Sequence, residues 1–346
     1  SDAITGTFNG LAQGATLSNF RESGLNATIS YTGGDGNDVV ISVAVVNPDY
    51  TITTAGNNLI FTDVSGTGET LDISQNSADI RFNVTGRKFS LNGGIATNFP
   101  ADVALAGKSS ITVNTAVGND IINVGAFSTQ LPSLTINGGT GDDAVNFNGN
   151  ITFADNANLD LDLQNDDATP GTDAVVLASN AVVTLSGTGT ATVKVSKNLT
   201  INTGGSLITQ NGNLVVEANQ QATPSAGDFA GVDVQGGALK VTGNGQLTIK
   251  GKSGLEGYKS GISVNNGGLV EGGTAPISLT GTGGAAAGDE NIGVSVTGTN
   301  SKITSLGGNV SVTGQGGGLG SSGSNYGLSV STGGQITAGL SGNVTV

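Results

Sequence analysis

The chain of 346 residues has no Cys, His, Met or Trp. Without Cys there is neither a disulfide nor a thiol nucleophile, and without His neither a Ser-His-Asp site nor a His-ligated zinc site can be built. Aromatic residues make up 4% and charged residues 11%, and Lys+Arg number 12 against 26 Asp+Glu, for a net charge of −14. Such a field repels polyanions, which argues against a nucleic-acid partner. The nearest thing to a basic patch is Lys240, Lys250, Lys252 and Lys259, with Tyr258 as its one interleaved aromatic. No run of 18 apolar residues occurs, so no membrane insertion by a helix is expected of this segment. Nor is there a stretch that would make a useful amphipathic helix, because Gly and β-branched residues are too frequent. There is no initiator Met and no signal peptide, and Ser1 reads as a processed or cut end.

What is abundant is Gly, at 59 residues, together with Thr, Ser, Asn and Val. That composition suits many short strands joined by tight turns. Apolar residues amount to 36%, and they fall in register. Between residues 229 and 346 the triplets Val232-Asp-Val234, Ile262-Ser-Val264, Val294-Ser-Val296 and Leu328-Ser-Val330 recur at steps of 30, 32 and 34 residues. A second position recurs at Leu239, Leu269, Ile303 and Ile336. A third recurs as Leu247/Ile249, Ile277/Leu279, Val310/Val312 and Val344/Val346. Each unit holds three short strands with period-2 alternation, and a fixed repeat of this length marks a solenoid. One unit cannot bury its apolar face alone, whereas stacked units can. The expected fold is therefore all-β, a right-handed parallel β-helix (β-solenoid), with Val234, Val264, Val296 and Val330 in one buried column; the hand follows from the crossover rule.

The rest of the chain divides into two further regions. From Ile111 the repeat is plain, since Ile111-Thr-Val113, Leu134-Thr-Ile136 and Leu159-Asp-Leu161 lie 23 and 25 residues apart. The longer units carry insertions at residues 219–230, 250–261, 281–293 and 314–327, which should align as a ridge. Residues 47–110 alternate less regularly and fit either the same solenoid or a small β-sandwich. In residues 1–46, strands are expected at 4–8, 27–31 and 39–43. Here Phe8-Asn-Gly-Leu-Ala-Gln-Gly14, followed by Ile29-Ser-Tyr31-Thr-Gly-Gly-Asp-Gly-Asn-Asp38-Val-Val, resembles the closing segment of autotransporter-associated β-strand repeats of giant bacterial surface proteins. Beyond residue 46 the similarity is general, to filamentous-haemagglutinin-like β-solenoid adhesins. The resemblance implies export, length and a passenger or stalk role, and it carries over no catalytic residue.

The sharpest local motif is Gly-x-Asp-x-apolar, which ends on Asp38, Asp120, Asp143 and Asp173. Two copies, at residues 33–40 and 138–145, extend to the nonapeptide that resembles a calcium β-roll repeat, so these four aspartates are the candidate metal ligands and Ca²⁺ the candidate cofactor. Asp120 and Asp143 are 23 residues apart, one coil, which would stack them. The competing account is that Gly makes a corner and the Asp accepts backbone N–H bonds in the turn. The acidic run at residues 165–167 would be solvated or add ligands. For catalysis only Asp160, Asp162 and Lys194 are available, and alternation puts both aspartates on the outer face of one strand; fold alone does not imply activity. Phe229, Tyr258 and Tyr326 each precede the first strand of a unit and are expected to pack at a corner rather than bind sugar.

These observations lead to one expectation with two alternatives. The chain is a structural segment of a secreted or cell-surface, outer-membrane-associated bacterial fibre, stalk or adhesin passenger with no catalysis, built of roughly a dozen coils reaching ~60 Å. The alternatives are a carbohydrate-active β-helix enzyme and a calcium-dependent binding module. Cell-surface polysaccharide is a candidate partner. Further coils or other copies stacked end to end are also expected, because Val344-Thr-Val346 is an ordinary third strand and not a polar cap.

Overall fold

The computed structural model describes residues 4–22, 25–36, 38–43, 46–164, 171–256, 259–285, 287–340 and 342–346. Among them there is no α-helix; a single 3-10 turn at Phe20–Glu22 is the only helical element. Beyond residue 46 the chain forms one parallel β-helix, with three strands per coil from Ile151–Thr152 onward. Its first face begins at Asn58–Asp63 and continues through Ser110–Asn114, Ser133–Asn137, Leu159–Leu163, Ala191–Val195 and Leu214–Ala218. It then passes through Leu247–Lys252, Ile277–Thr282 and Val310–Gln315 to Val344–Thr345. Those ten strands are parallel and nine steps apart, which at ~4.8 Å a step gives a ladder of about 43 Å, shorter than the dozen coils expected. The second face runs from Thr70–Asn76 through Ile121–Val124 to Leu328–Ser331. A third and narrower face runs from Ile151–Thr152 to Gln335–Ile336.

Register follows from the period-2 pattern, because only one parity places every branched side chain inside. Val234 pairs with Val264, Val264 with Val296 and Val296 with Val330, and the first three are completely buried. Val330 departs from expectation at 45% exposed, since its coil is covered on one side only. A second correction concerns the third face. Leu239 pairs with Val270, and Val270 with Ile303, so the inner column passes through Val270 and not Leu269. Leu269 and Val270 are adjacent and both apolar, so alternation alone could not decide between them; opposite Leu269 stands Lys302, which must face water.

Residues 47–110 belong to the same solenoid and close one end of it. Tyr50–Ala55 folds back antiparallel on Asn58–Asp63, and Asp79–Val84 folds back on Thr70–Asn76 and is itself paired by Ala101–Ala104. These hairpins turn the exposed edges of the first parallel strands into antiparallel ladders. Five of the chain's fourteen Phe and Tyr side chains collect here. Phe61 stacks on Phe82 at 5.0 Å, Tyr50 lies 5.1 Å from Phe61, and Phe99 packs on Tyr50 and Phe89. Large rings fill the end of the apolar column where no further coil supplies aliphatic neighbours, as terminal units of a solenoid require.

Residues 16–43 form a separate three-stranded antiparallel sheet of Thr16–Leu17, Ala27–Gly33 and Asp38–Val43. The expected strand at 4–8 is absent. Instead the Tyr31 hydroxyl accepts the Phe8 N–H at 2.8 Å and donates to the Leu11 carbonyl at 2.9 Å, and Gln13 Oε1 accepts the Tyr31 N–H at 2.7 Å. The first stretch quoted above is thus a loop held on the strand that carries the second.

Candidate functional site at one corner of the coils

The corner between the first and second faces holds the chain's buried acids. The pattern Gly-x-Asp-x-apolar places the Asp in phase with the inward residues that follow it, as in Asp120, Ile122, Val124 or Asp143, Val145, Phe147. Alternation therefore turns each carboxylate towards the interior. Asp120, Asp143 and Asp173 are only 3%, 2% and 1% exposed. They stand one above another in successive coils. The Glu69 N–H donates to Asp120 Oδ1 at 2.9 Å, the Asp120 N–H to Asp143 Oδ1 at 2.8 Å, and the Asp143 N–H to Asp173 Oδ1 at 2.7 Å. The Asp173 N–H then donates to Ser196 Oγ at 2.9 Å, and the Ser196 hydroxyl donates to the Gly171 carbonyl at 2.8 Å. The backbone completes the link in the other direction, with the Ile121, Ala144 and Ala174 amides donating to the carbonyls of Glu69, Asp120 and Asp143.

These bonds join neighbouring coils, whereas a turn-capping Asp would bond within its own turn. Hydrogen bonds to charged groups contribute roughly 1.5–3 kcal/mol each. The three carboxylate links therefore tie four coils together, and the Asp173–Ser196 bond adds a fifth, at a corner where no strand ladder runs. Its glycines are required by geometry. Gly118 and Gly141 have φ of 130° and 132°, and a Cβ on Gly141 would lie 2.0 Å from the Gly118 carbonyl oxygen.

At the capped end the column meets a denser group. Asp63 continues the inward alternation of Leu59 and Phe61 and is 3% exposed, and its Oδ1 accepts the Ser65 N–H at 2.6 Å. Glu69 accepts the Tyr50 hydroxyl at 2.7 Å and is bonded by the Arg87 guanidinium, which also lies 3.5 Å from Asp49. One carboxylate oxygen from each of Asp63, Glu69 and Asp120 lies within 4.8 Å of the others. Burial, with the nearby Asp63 and Glu69 charges adding to it, pushes the Asp120 carboxyl up to about 7. Burial likewise raises Asp63, and burial together with the bond to Glu69 raises the Tyr50 hydroxyl.

Farther along, the same corner is built from amides and glycine. Asn219, in the left-handed region with φ of 58°, accepts the Ser225 N–H at 2.7 Å and donates to the Ser253 carbonyl at 3.2 Å in the next coil. Asn325 Oδ1 accepts both the N–H and the side-chain amide of Asn291. The expected insertions leave here as a ridge, the last three through necks pinched by glycine on both sides. A Cβ on Gly281 would lie 2.1 Å from the Gly293 carbonyl oxygen, and one on Gly314 would lie 1.8 Å from that of Gly327.

The other sequence candidates fall elsewhere. Asp38 is exposed in the separate antiparallel sheet, away from the column. Asp160, Asp162 and Lys194 lie on the outside of the first face. There Asp162 pairs with Lys194, Lys194 with Glu217 and Glu217 with Lys250, an in-register ladder of alternating charge. Lys250 Nζ reaches Glu217 Oε1 at 2.9 Å, Lys240 reaches Glu271 at 3.3 Å and Lys259 lies 4.0 Å from Asp228, so the supposed basic patch is largely paired. Burial, then Asp162, raises the Asp160 carboxyl. Phe229 is buried with Lys197 Nζ 5.8 Å from its ring centre, whereas Tyr326 is 57% exposed, so the two do not share one packed corner. Tyr258 and the acidic run 165–167 lie outside the described residues. Asp63 and Glu69 were missed by the sequence reading. The available signal was a carboxylate at Asp63 in phase with Leu59 and Phe61.

No family model, curated protein or solved structure matches this chain. The site is therefore described by its own geometry alone. No helix among the described residues is long and apolar enough to cross a membrane.

Proposed function

We propose that this chain is a structural segment of a secreted or cell-surface bacterial fibre, stalk or adhesin passenger, associated with the outer membrane and without catalysis. The observation that carries the reading is the continuity of coil-to-coil bonding. Ten parallel strands on one face, the buried acidic column at the corner and the alternating charges outside all join one coil to the next. A rod of that kind transmits force and spaces its ends. Three further points support it. Of the three residues a polysaccharide-cleaving site would use, Asp162 and Lys194 stand in the charge ladder on the outside of the first face and Asp160 is paired between Thr135 and Thr192. The hollows around Pro48 and Ile95 and around Ile4 and Tyr31 have no carboxylate in their lining. The resemblance of the first 46 residues to autotransporter-associated repeats points to export. Further coils or copies stacked end to end, with cell-surface polysaccharide as a ligand, are the partners this reading names.

The test is antibody labelling of intact source cells against this segment, set beside turnover assays on a panel of acidic and neutral polysaccharides. Surface labelling with no turnover is the expected result. Turnover lost in Asp160→Asn or Asp162→Asn would replace the structural reading with the enzymatic one, and labelling only after permeabilisation would remove the surface location.

A further inference from the structure

We infer that Asp63, Glu69 and Asp120, at the capped end of the corner column, form a binding site for one divalent cation, calcium by the chemistry of its donors. The inference is independent of the proposed stalk role, because it rests on how this group is buried and what its oxygens lack. Two oxygens bound to the same Ca²⁺ at roughly 2.3–2.6 Å are separated by at most about 5 Å. One oxygen from each of the three carboxylates meets that limit, all three lying within 4.8 Å of one another.

The second observation is that two of these acids are incompletely satisfied. Asp63 Oδ2 and Asp120 Oδ2 are buried with no hydrogen-bond partner, on side chains that are each 97% buried. Buried polar atoms are nearly always paired, and an orphaned carboxylate oxygen costs more than a neutral one. Each acid's other oxygen is already engaged, Asp63 Oδ1 by the Ser65 N–H and Asp120 Oδ1 by the Glu69 N–H, and these bonds fix where the free oxygens sit. Charge points the same way. Among the described residues, the ion pairs of this acidic group are those of Arg87 with Asp49 and Glu69, and none reaches Asp63 or Asp120.

Donor chemistry selects the ion. The group offers carboxylates and the hydroxyls of Ser65 and Thr67, both bonded to Glu69; such a hard, oxygen-only set suits Ca²⁺ or Mg²⁺ and not a transition metal. Three carboxylates on a strand end, a turn and the next coil form an irregular cage. Calcium accepts irregular geometry of 6–8 oxygens, while Mg²⁺ demands a near-octahedral one. Access is through the turn at residues 64–68, whose Gly66, Thr67 and Gly68 are exposed. This is a different site from the β-roll-like motif at residues 33–40.

The test is titration calorimetry of the whole, chelator-treated chain with CaCl₂, paired with thermal unfolding. One calcium per chain and a melting temperature that rises with CaCl₂ are expected, with MgCl₂ much weaker. Asp63→Asn, which keeps Oδ1 for the Ser65 N–H, should abolish the saturable heat while the circular dichroism spectrum stays that of the parent. Asp143→Asn, one coil farther on, and Asp38→Asn, in the β-roll-like motif, should retain it. Absence of saturable heat up to about 10 mM CaCl₂, beyond the range of weak extracellular calcium modules, would overturn the inference. Retention of the heat in Asp63→Asn, or its loss in Asp38→Asn, would overturn it equally by placing the ion elsewhere. If Asp63→Asn loses its fold, Glu69→Gln, which leaves the buried aspartates in place, decides on the same readout.

Discussion

The same corner of the β-helix is made in two ways along its length. In the first three coils the first and second faces are joined by residues 64–69, 115–120 and 138–143, six residues each time, and the next two joins, 164–173 and 196–197, are ten and two residues long. In the later coils the joins are 219–231, 253–261, 283–293 and 316–327, between nine and thirteen residues. Two of the short turns close on an aspartate, Asp120 and Asp143, whose side chain bonds the coil before it. The last three long ones leave through paired glycines and return, and the corner bonds of the long joins come from Asn219, Asn291 and Asn325. Tight, charged corners give strength at one end, whereas glycine necks let the fold project loops at the other without disturbing the strand ladders. The two designs make different demands on sequence, since the first needs an inward acceptor and the second needs the absence of a Cβ.

The largest expected effect falls on the necks. Gly314→Ala sets a methyl 1.8 Å from a backbone carbonyl and should lower stability by about 3 kcal/mol, as overpacking of a rigid site does. Gly320→Ala, in the same loop with open space around its Cβ, should cost about 1–2 kcal/mol through its left-handed φ alone. Denaturant midpoints separate the two, and equal losses would mean that the necks are not pinched.

The next effect belongs only to the acidic half. Asp120 has a folded pKa of about 7, above the unfolded carboxylate value of about 3.9, so the folded state binds the extra proton between those limits. Stability contributed by that proton is present at low pH and is lost as pH rises towards 7, a fall of about 2–3 kcal/mol between pH 5 and 8 in metal-free buffer. Asp63, raised in the same direction, adds to it, while Glu69, Arg87 and Tyr50 surround the pair. Asp120→Asn should flatten the slope, and a slope unchanged in that variant would assign the pH dependence to another part of the chain.

How much of this contrast was legible beforehand depends on what each feature leaves in the sequence. Columns such as Val264 and Val296 repeat once per coil, so a single spacing reveals them. The ridge was legible for the same reason, as extra length at one phase of the repeat. Parity at Leu269 and Val270 was hidden because both are apolar and only the Lys302 opposite breaks the tie. The hairpin cap was hidden more deeply, since a strand that reverses keeps its alternation and shows the reversal only in its partners. Among the acids, Asp120, Asp143 and Asp173 announced themselves through their glycines. Asp63 and Glu69 have no such marker, and Asp120 joins them only when residues 58–63 and 110–114 pair across the intervening cap.

Removing an acceptor from the column tests the short-turn design more locally. Asp143→Ala leaves the Asp120 N–H buried and unpaired and should cost about 2 kcal/mol. Asp143→Asn, which retains an oxygen for that N–H, should cost less. The smallest effect is expected outside. Lys194→Glu places like charges beside Asp162 and Glu217 and should cost about 0.5 kcal/mol, most of it screened by salt. A loss as large as that of Asp143→Ala would show that the outer ladder, not the buried column, holds the early coils.

Native-state hydrogen exchange at the backbone amides of Glu69, Asp120, Asp143 and Asp173 tests the central claim most directly, because each of these amides donates to a side chain of the next coil. Protection at the level of the neighbouring core strands is predicted in the parent chain, with Asp143→Ala releasing the Asp120 amide while the Asp143 amide stays protected. Exchange of all four amides at the rate of the exposed loops, or release of the whole set in Asp143→Ala, would contradict a column built of separate coil-to-coil bonds.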